Sequence, residues 1–179
     1  ILKEFHHKNP LKMGMSKEEI KNKVFGSKIK QKIYDCIIEL LKDENRIDVY
    51  GNFIFLKNFK VKYSEDQIKI KDNILKKFSN SGFIPPKYLE LESSCNDKKD
   101  FKMVFESVVD KGDIVKVAED CWFSAEDYKR AKETVIDFIK SNGIISLGEF
   151  RDELNTSRKY AMILMEHFDG IRLTKRLGD

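Results

Sequence analysis

Apolar residues recur at three- and four-residue spacing along most of the chain, and each such run is closed by a short polar or glycine-containing break. In the last third, Ser124 and Asp127 stand in capping-box spacing ahead of an apolar stripe of Tyr128, Ala131, Val135, Phe138 and Ile139, closed by Asn142-Gly143. Ile144 and Ile145 lead to a second cap at Ser146 and a short helix through Phe150 and Leu154, ended by Asn155. Thr156 or Ser157 caps a third helix, with Arg158 and Lys159 in its first exposed turn and Tyr160, Ile163, Leu164 and Phe168 on its inner face. Asp169-Gly170 then closes the helix. Ile171-Arg172-Leu173-Thr174 alternates apolar and polar residues as a strand does, and Lys175 and Arg176 fall where a hairpin would turn.

Similar grammar returns about sixty residues earlier. Ser64-Glu65-Asp66 mirrors Ser124-Ala125-Glu126, and Leu75, Phe78, Gly82 and Phe83 mirror Ile136, Ile139, Gly143 and Ile144. Pro85-Pro86 suits the first turn of a second helix. Asn96 or Asp97 caps a third helix with an inner face of Phe101, Val104, Phe105 and Val108, ended by Lys111-Gly112-Asp113. Ile114 to Val117 and Asp120 to Phe123 read as a hairpin. The first third keeps the later part of this pattern. Ser16 and Glu19 open a helix that turns Ile20, Val24 and Phe25 inward, and Gly26 breaks it. Ile33, Cys36, Ile37, Leu40 and Leu41 form the next helix face. Arg46 to Tyr50, Gly51-Asn52 and Phe53 to Leu56 form a hairpin with a tight two-residue turn. Ile1 to Leu11 reads as an extended lead-in strand or linker, with the first helix of this unit largely missing.

Helix, short helix, third helix and hairpin is the order of a winged helix, and the third helix with its hairpin is the recognition half of that fold. The patterning therefore predicts an α+β chain of tandem winged-helix domains: 1–62, partly truncated at its N-terminus, 63–123 and 124–179. Joints near Phe59 to Ser64 and at Phe123-Ser124 lack Gly/Ser-rich stretches, and the second is short enough to hold its neighbours at a nearly fixed angle.

With 41% hydrophobic and 36% charged residues over 179 positions, the composition supports folded cores and a large solvated surface. No run approaches the roughly 20 apolar residues of a membrane helix, and no signal peptide is visible. The chain opens Ile1-Leu2-Lys3 without an initiator Met, so it is expected to be part of a longer protein. Cys36, Cys95 and Cys121 are widely separated and form no CxxC pair, as reduced buried thiols of a cytoplasmic protein would be. The net charge of +4 is unevenly spread. Residues 1–63 hold 14 basic and 8 acidic side chains, residues 64–124 hold 10 and 12, and residues 125–179 hold 10 and 10. Bulk charge nominates the first third for nucleic acid, whereas local clustering nominates Arg158-Lys159 and Arg172 to Arg176.

Catalytic patterns are lacking. Gly26-Ser27-Lys28 is not a phosphate-binding loop, His6-His7 and His167 have no Cys partner at metal-ligand spacing, and no acid–base pair stands out. His6-His7 reads as linker and His167, beside Glu166, as a helix-end surface residue. The basic cluster has two readings, a solvated helix end with a hairpin tip or a phosphate-binding surface. Cations in a first helical turn oppose the helix dipole by some tenths of a kcal/mol, which favours the second. Exposed helix N–H groups and Arg together form an anion site, to which Ser157 can also donate. Arg158, Arg172 and Arg176 suit bidentate phosphate contact and stacking on an extruded base, Lys159 and Lys175 act as point charges, and Arg151 can touch the backbone from the side. Trp122 reads as packing at a domain junction rather than a stacking platform. Lys57, Lys60 and Lys62, alternating with Phe59 and Val61, fit a basic RNA-facing ribbon or an amphipathic edge strand.

Two stretches carry a family resemblance. Ser157-Arg158-Lys159-Tyr160-Ala161, then Phe168-Asp169 through Thr174, Arg176, Gly178 and Asp179, resembles the C-terminal end of bacterial selenocysteine-specific elongation factors (SelB). Phe5-His6-His7-Lys8-Asn9-Pro10-Leu11-Lys12-Met13-Gly14-Met15 resembles that family's linker into its second winged helix. The two lie in family order and span nearly the whole chain, while Glu65 to Phe123 matches only in pattern. The resemblance implies a non-catalytic arm, monomeric and cytoplasmic, that binds the selenocysteine insertion (SECIS) stem-loop of messenger RNA chiefly through its third domain. It further implies that this chain holds no cofactor, and that GTP and Mg belong to a missing N-terminal GTPase that carries selenocysteinyl-tRNA to the ribosome. The chain departs from the family in the neutral balance of its last domain and in stopping at Asp179, where the family continues with further basic residues. A DNA-binding winged-helix regulator and a protein-interaction module remain as alternatives, although no heptad or extra dimer helix accompanies the first.

Overall fold

In the computed structural model, which describes residues 1–177, Leu2–Lys8 forms a helix, α1, where the sequence reading expects an extended lead-in. Leu2 and Phe5, three residues apart, lie on one face of α1 and pack on the core of the first of two units, residues 1–65. Asn9 ends the helix, its backbone N–H and its side-chain amide both donating to the Phe5 carbonyl at 2.8 and 3.0 Å. Leu11 is buried behind Pro10, and the chain then enters a short strand, β1 (Met15–Ser16). A side chain on Gly14 would overlap the Ile54 carbonyl, so only glycine lets these two backbones approach.

Ser16 ends β1 and caps α2 (Lys17–Phe25), its hydroxyl accepting from the Glu19 N–H at 3.1 Å. Next come α3 (Gln31–Asp43), β2 (Ile47–Tyr50) and β3 (Phe53–Leu56), joined through Gly51 at φ 56°. The sheet order is β1-β3-β2, all antiparallel, with Met15 opposite Ile54 and Val49 opposite Ile54 on the other side. Met15, Ile20, Tyr34, Ile38, Ile47 and Ile54 make the core. Two inner-face expectations are overturned. Ile33 (52% exposed), Leu40 (57%) and Cys36 face outward on α3, as Val24 does on α2, while Tyr34 and Ile38 face inward. The apolar arc of α3 is wide, and packing uses its Tyr34–Ile38 edge rather than its Ile33–Cys36–Leu40 edge. The Tyr34 hydroxyl, donating to the Lys17 carbonyl at 2.6 Å, has its partner only on the inner side.

Residues 57–64, directly after β3, form no strand. Lys57 pairs with Asp48 at 3.1 Å, and Phe59 stacks on His6 with ring centroids 3.5 Å apart, so neither a basic ribbon nor an edge strand forms. His6 is therefore a core residue rather than a linker residue. Its Nε2 accepts from the Leu56 N–H at 3.4 Å, while its buried Nδ1 has no hydrogen-bond partner among the described residues.

The second unit begins at residue 66. It contains α4 (Glu65–Ser79), α5 (Tyr88–Ser93), α6 (Lys98–Asp110) and a hairpin of β4 (Ile114–Ala118) and β5 (Cys121–Ser124). Asp97 caps α6, accepting from the Asp100 N–H at 2.9 Å. Pro85 and Pro86 precede α5 instead of occupying its first turn, and Lys87 is its N-cap. Ser124 is at once the last residue of β5 and the cap of α7 (Ala125–Asn142). Its hydroxyl accepts from the Asp127 N–H at 3.0 Å and donates to the Asp127 carboxylate at 2.6 Å. α8 (Leu147–Glu153), held by a capping box of Ser146 and Glu149, and α9 (Arg158–Gly170) complete the unit.

Strand alternation gives β5 two different neighbours. Cys121 and Phe123 join a core with Ala131, Val135, Phe150, Leu164 and Phe168 from α7, α8 and α9. Trp122 points the other way, 5.3 Å from the Phe105 ring and 6.0 Å from that of Tyr88. Its ring contacts are thus with α5 and α6 of the middle set, rather than across a junction. Cys121 is the buried cysteine, Cys36 is exposed and Cys95 half-buried, so only one of the three thiols is buried as expected.

Two outcomes follow from this packing. Burial lowers the His6 pKa from its ordinary 6.5, so the unfolded chain takes up the proton first. His6 thus contributes its full stability above about pH 6.5 and loses it as the pH falls through its folded value; denaturant titrations from pH 8 to pH 5 should show this decline, and His6→Phe should flatten it. Phe123→Ala removes a fully buried ring and should cost about 3–5 kcal/mol of stability in the same assay.

Candidate nucleic-acid interface

α9 buries Ala161, Leu164 and Phe168 completely, which leaves Ser157, Arg158 and Lys159 exposed at its start. The choice between two caps resolves into two jobs. Ser157 is the N-cap, accepting from the Tyr160 N–H at 3.4 Å, while the Thr156 hydroxyl donates to the Phe83 carbonyl at 2.5 Å and ties the α8–α9 turn to the segment after α4. Asn155, at φ 48°, makes the turn, in a conformation Asn tolerates well. The Lys159 ammonium lies 5.6 Å from the Tyr160 ring centre. Its charge opposes, without cancelling, the burial that pushes the Cys121 thiol up to about 11, so that thiol stays protonated.

The far end of α9 departs from the expected wing. Residues 171–174 form a turn, with no strand there among the described residues. Gly170 is still helical, and the left-handed position falls on Arg172, at φ 60°. The Arg172 N–H donates to the Asp169 carbonyl at 3.0 Å and the Leu173 N–H to the Phe168 carbonyl at 2.8 Å. Leu173 then packs back on the core that holds Phe168. This is a Schellman helix end, and its apolar, half-buried Leu173 after exposed Arg172 imitates strand alternation in the sequence. The Thr174 hydroxyl donates to the Asp169 carboxylate, so Thr174 is a helix-end brace and does not share a strand face with Arg172. The expected family ending at Gly178 and Asp179 lies outside the described residues.

The predicted basic residues therefore form two groups. Arg151, Ser157, Arg158 and Lys159 gather at the α8–α9 corner, and Arg172, Lys175 and Arg176 lie beyond the other end of α9. Thirteen residues of helix separate the groups by about 20 Å. Arg158, Lys159, Arg172, Lys175 and Arg176 are exposed, with no carboxylate within ion-pair distance among the described residues. Arg151 differs, because Asp152 holds its guanidinium at 2.6 Å. His167, read as a surface residue, is half-buried and shares a 3.0 Å hydrogen bond with the Tyr128 hydroxyl, bracing α9 on α7. No group of three metal-ligating side chains occurs among the described residues.

Two other helices share the geometry of α9. α3 and α6 are also 13 residues long. Each ends in the same turn, with Asn45 at φ 56° and Gly112 at φ 79° in the place of Arg172. Their first turns then align Lys30-Gln31-Lys32 and Asp97-Lys98-Lys99 with Ser157-Arg158-Lys159. Lys98 and Lys99 were overlooked by the sequence reading, although its own sixty-residue repeat places them opposite Arg158 and Lys159.

Family models described as elongation factor SelB, winged helix, match residues 1–56 and 137–179, together more than half of the chain. A selenocysteine-specific elongation factor of Desulfomicrobium baculatum is 25% identical over 99% of this chain and 28% of its own length. That of Haemophilus influenzae is 21% identical over 98% of this chain and 28% of its length. The chain thus spans little more than a quarter of these relatives. A solved structure of the mRNA-binding domain of Escherichia coli SelB in complex with SECIS RNA overlaps 65% of this chain and 94% of that one, at 24% identity and a TM-score of 0.54. A bacterial selenocysteine-specific elongation factor structure overlaps 98% of this chain and 27% of that one, at 15% identity and a TM-score of 0.51. Both share the fold. The two matched models, with the winged-helix order of elements and the collinear relatives, show that this chain belongs to the winged-helix region of the SelB elongation factor family.

Proposed function

We propose that this chain is the messenger-RNA-binding arm of a selenocysteine-specific elongation factor, and that α9 and its flanks dock on the SECIS stem-loop. The observation that carries the reading is that Arg158 and Lys159 at one end of α9, and Arg172, Lys175 and Arg176 beyond the other, are exposed with no ion pair among the described residues. Fixed cations about 20 Å apart suit a phosphate backbone, where guanidinium forks bind bidentately and ammonium groups act as point charges. The description of a related domain as bound to SECIS RNA supports the same ligand.

In this reading the chain comprises winged-helix domains 1–62, 63–123 and 124–179, and the first two orient the third. The arm acts as a monomer and performs no reaction itself. A GTPase elsewhere in the longer protein binds GTP and Mg and carries selenocysteinyl-tRNA to the ribosome, so the setting is cytoplasmic. No helix among the described residues is long and apolar enough to cross a membrane.

The test is a fluorescence-anisotropy titration of the chain against a selenocysteine insertion hairpin, a scrambled-loop hairpin and duplex DNA. Preference for the first supports the reading. Equal binding to all three, or preference for DNA, overturns it in favour of an interaction module or a DNA-binding regulator. Arg158→Ala should weaken hairpin binding by about 1–3 kcal/mol with an unchanged circular dichroism spectrum. Arg172→Gly should move two measurements in opposite directions. Relief of the left-handed backbone raises stability by up to about 1 kcal/mol, while loss of the guanidinium weakens binding. If both fall together, Arg172 serves the helix end alone.

A further inference from the structure

The first unit carries a basic corner that the reading above leaves without a role. Residues 26–34, the connection from α2 and the first turn of α3, contain Lys28, Lys30 and Lys32 and no acidic residue. All three are exposed. A fourth lysine joins them from α2, because the Lys21 ammonium donates to the Gln31 side-chain carbonyl at 2.7 Å. The nearest acid along α3, Asp35, is engaged by the Gln31 amide at 2.8 Å. No carboxylate lies within ion-pair distance of Lys21, Lys28, Lys30 or Lys32 among the described residues. Elsewhere in the unit, Lys8, Lys23, Lys42, Arg46 and Lys57 are each paired with an acid. Four like charges are thus gathered at one corner while other cations around them are neutralised.

This corner corresponds, by its place along a 13-residue helix, to the α8–α9 corner proposed above for nucleic acid. α3 and α9 have equal length and the same helix-end turn, so Lys30 and Lys32 take the places of Ser157 and Lys159. The surplus of 14 basic over 8 acidic residues in positions 1–63 lies in the same unit. The side chains also indicate what kind of nucleic acid fits. The two aromatics nearest the corner both pack into the first core, Tyr34 buried and Phe25 half-buried with its ring edge-on to that of Tyr34 at 6.0 Å, so neither is a free platform for stacking splayed bases as single-strand binders use. Lysines without aromatics or arginine forks read phosphate charge and carry no base information.

We propose that the α2–α3 corner of the first unit, Lys21, Lys28, Lys30 and Lys32, is a second and sequence-independent surface for the backbone of double-helical RNA. It is independent of whether α9 binds a stem-loop, since its residues and its target class are different.

The full chain and its K28Q/K30Q/K32Q variant are titrated with a plain RNA duplex lacking any loop and with a single-stranded RNA of equal length, between about 50 and 200 mM salt. For the duplex, the variant should bind more weakly and its salt dependence should flatten by about 2–3 in log–log slope. Lys→Arg at the same three positions should restore the slope. Unchanged duplex affinity and slope overturn the proposal, and equal losses on single-stranded RNA overturn the duplex assignment. Arg158→Ala separates the two readings: it should leave the loop-free duplex slope near that of the parent chain while lowering hairpin affinity. If K28Q/K30Q/K32Q changes nothing but Arg158→Ala still lowers hairpin binding, only the second surface fails.

Discussion

The β4–β5 hairpin must satisfy two cores at once, and the second unit is organised around that constraint. Residues of a strand alternate between its faces, so Cys121 and Phe123 can enter one core only if Trp122 enters another environment. The strand then passes into α7 without a connecting residue, because Ser124 belongs to both elements. Phe83 reinforces the join from the middle set. Its ring lies in the α7–α9 core, its carbonyl accepts the Thr156 hydroxyl, and the Arg130 guanidinium rests 4.8 Å from its ring centre. A shared core and a strand that becomes a helix leave little freedom between the middle and last sets, so the basic corner at Ser157 to Lys159 is held relative to α4 to α6.

The three 13-residue helices show how one backbone solution accepts different side chains. Asn45, Gly112 and Arg172 occupy the same left-handed position, with the same pair of hydrogen bonds closing each helix. Glycine enters this conformation freely and asparagine with little difficulty, whereas arginine does so at a cost on the order of 1 kcal/mol. That cost falls on an exposed cation beside Lys175 and Arg176. The packing of the half-buried Leu173 against the Phe168 core helps to hold the turn despite it.

Residues 5–15 show a motif whose chemistry is internal. His6 stacks on Phe59, Asn9 closes α1, Leu11 and Met15 are buried, and Gly14 permits backbone contact with Ile54. Phe5, His6, Asn9, Leu11, Gly14 and Met15 each have a packing reason there, while His7, Lys8, Pro10 and Lys12 are exposed, which explains why a stretch that reads as a linker is an ordered part of the first unit. The same contacts disfavour the protonated form of His6. With Nε2 accepting from the Leu56 N–H, a second ring proton would set two donors against each other.

Caps, breaks and the hairpin turn at Gly51 were legible from the residues, because Ser16, Asp97, Ser124, Ser146 and Ser157 act within a single turn of chain. So were the basic residues at both ends of α9, since charge clustering needs no fold to be seen. The faces of α3, the place of Trp122 and the conformation of Ile171 to Thr174 were not, because each turns on partners distant in sequence or on a helix end that mimics a strand. By itself, the sequence determined where the side-chain-capped helices start and which side chains carry charge, as local hydrogen bonding dictates, but not α1 or the start of α5. The tertiary structure alone decided which apolar faces are inside and which cations stand free of acids, because burial and ion pairing depend on residues that only folding brings together.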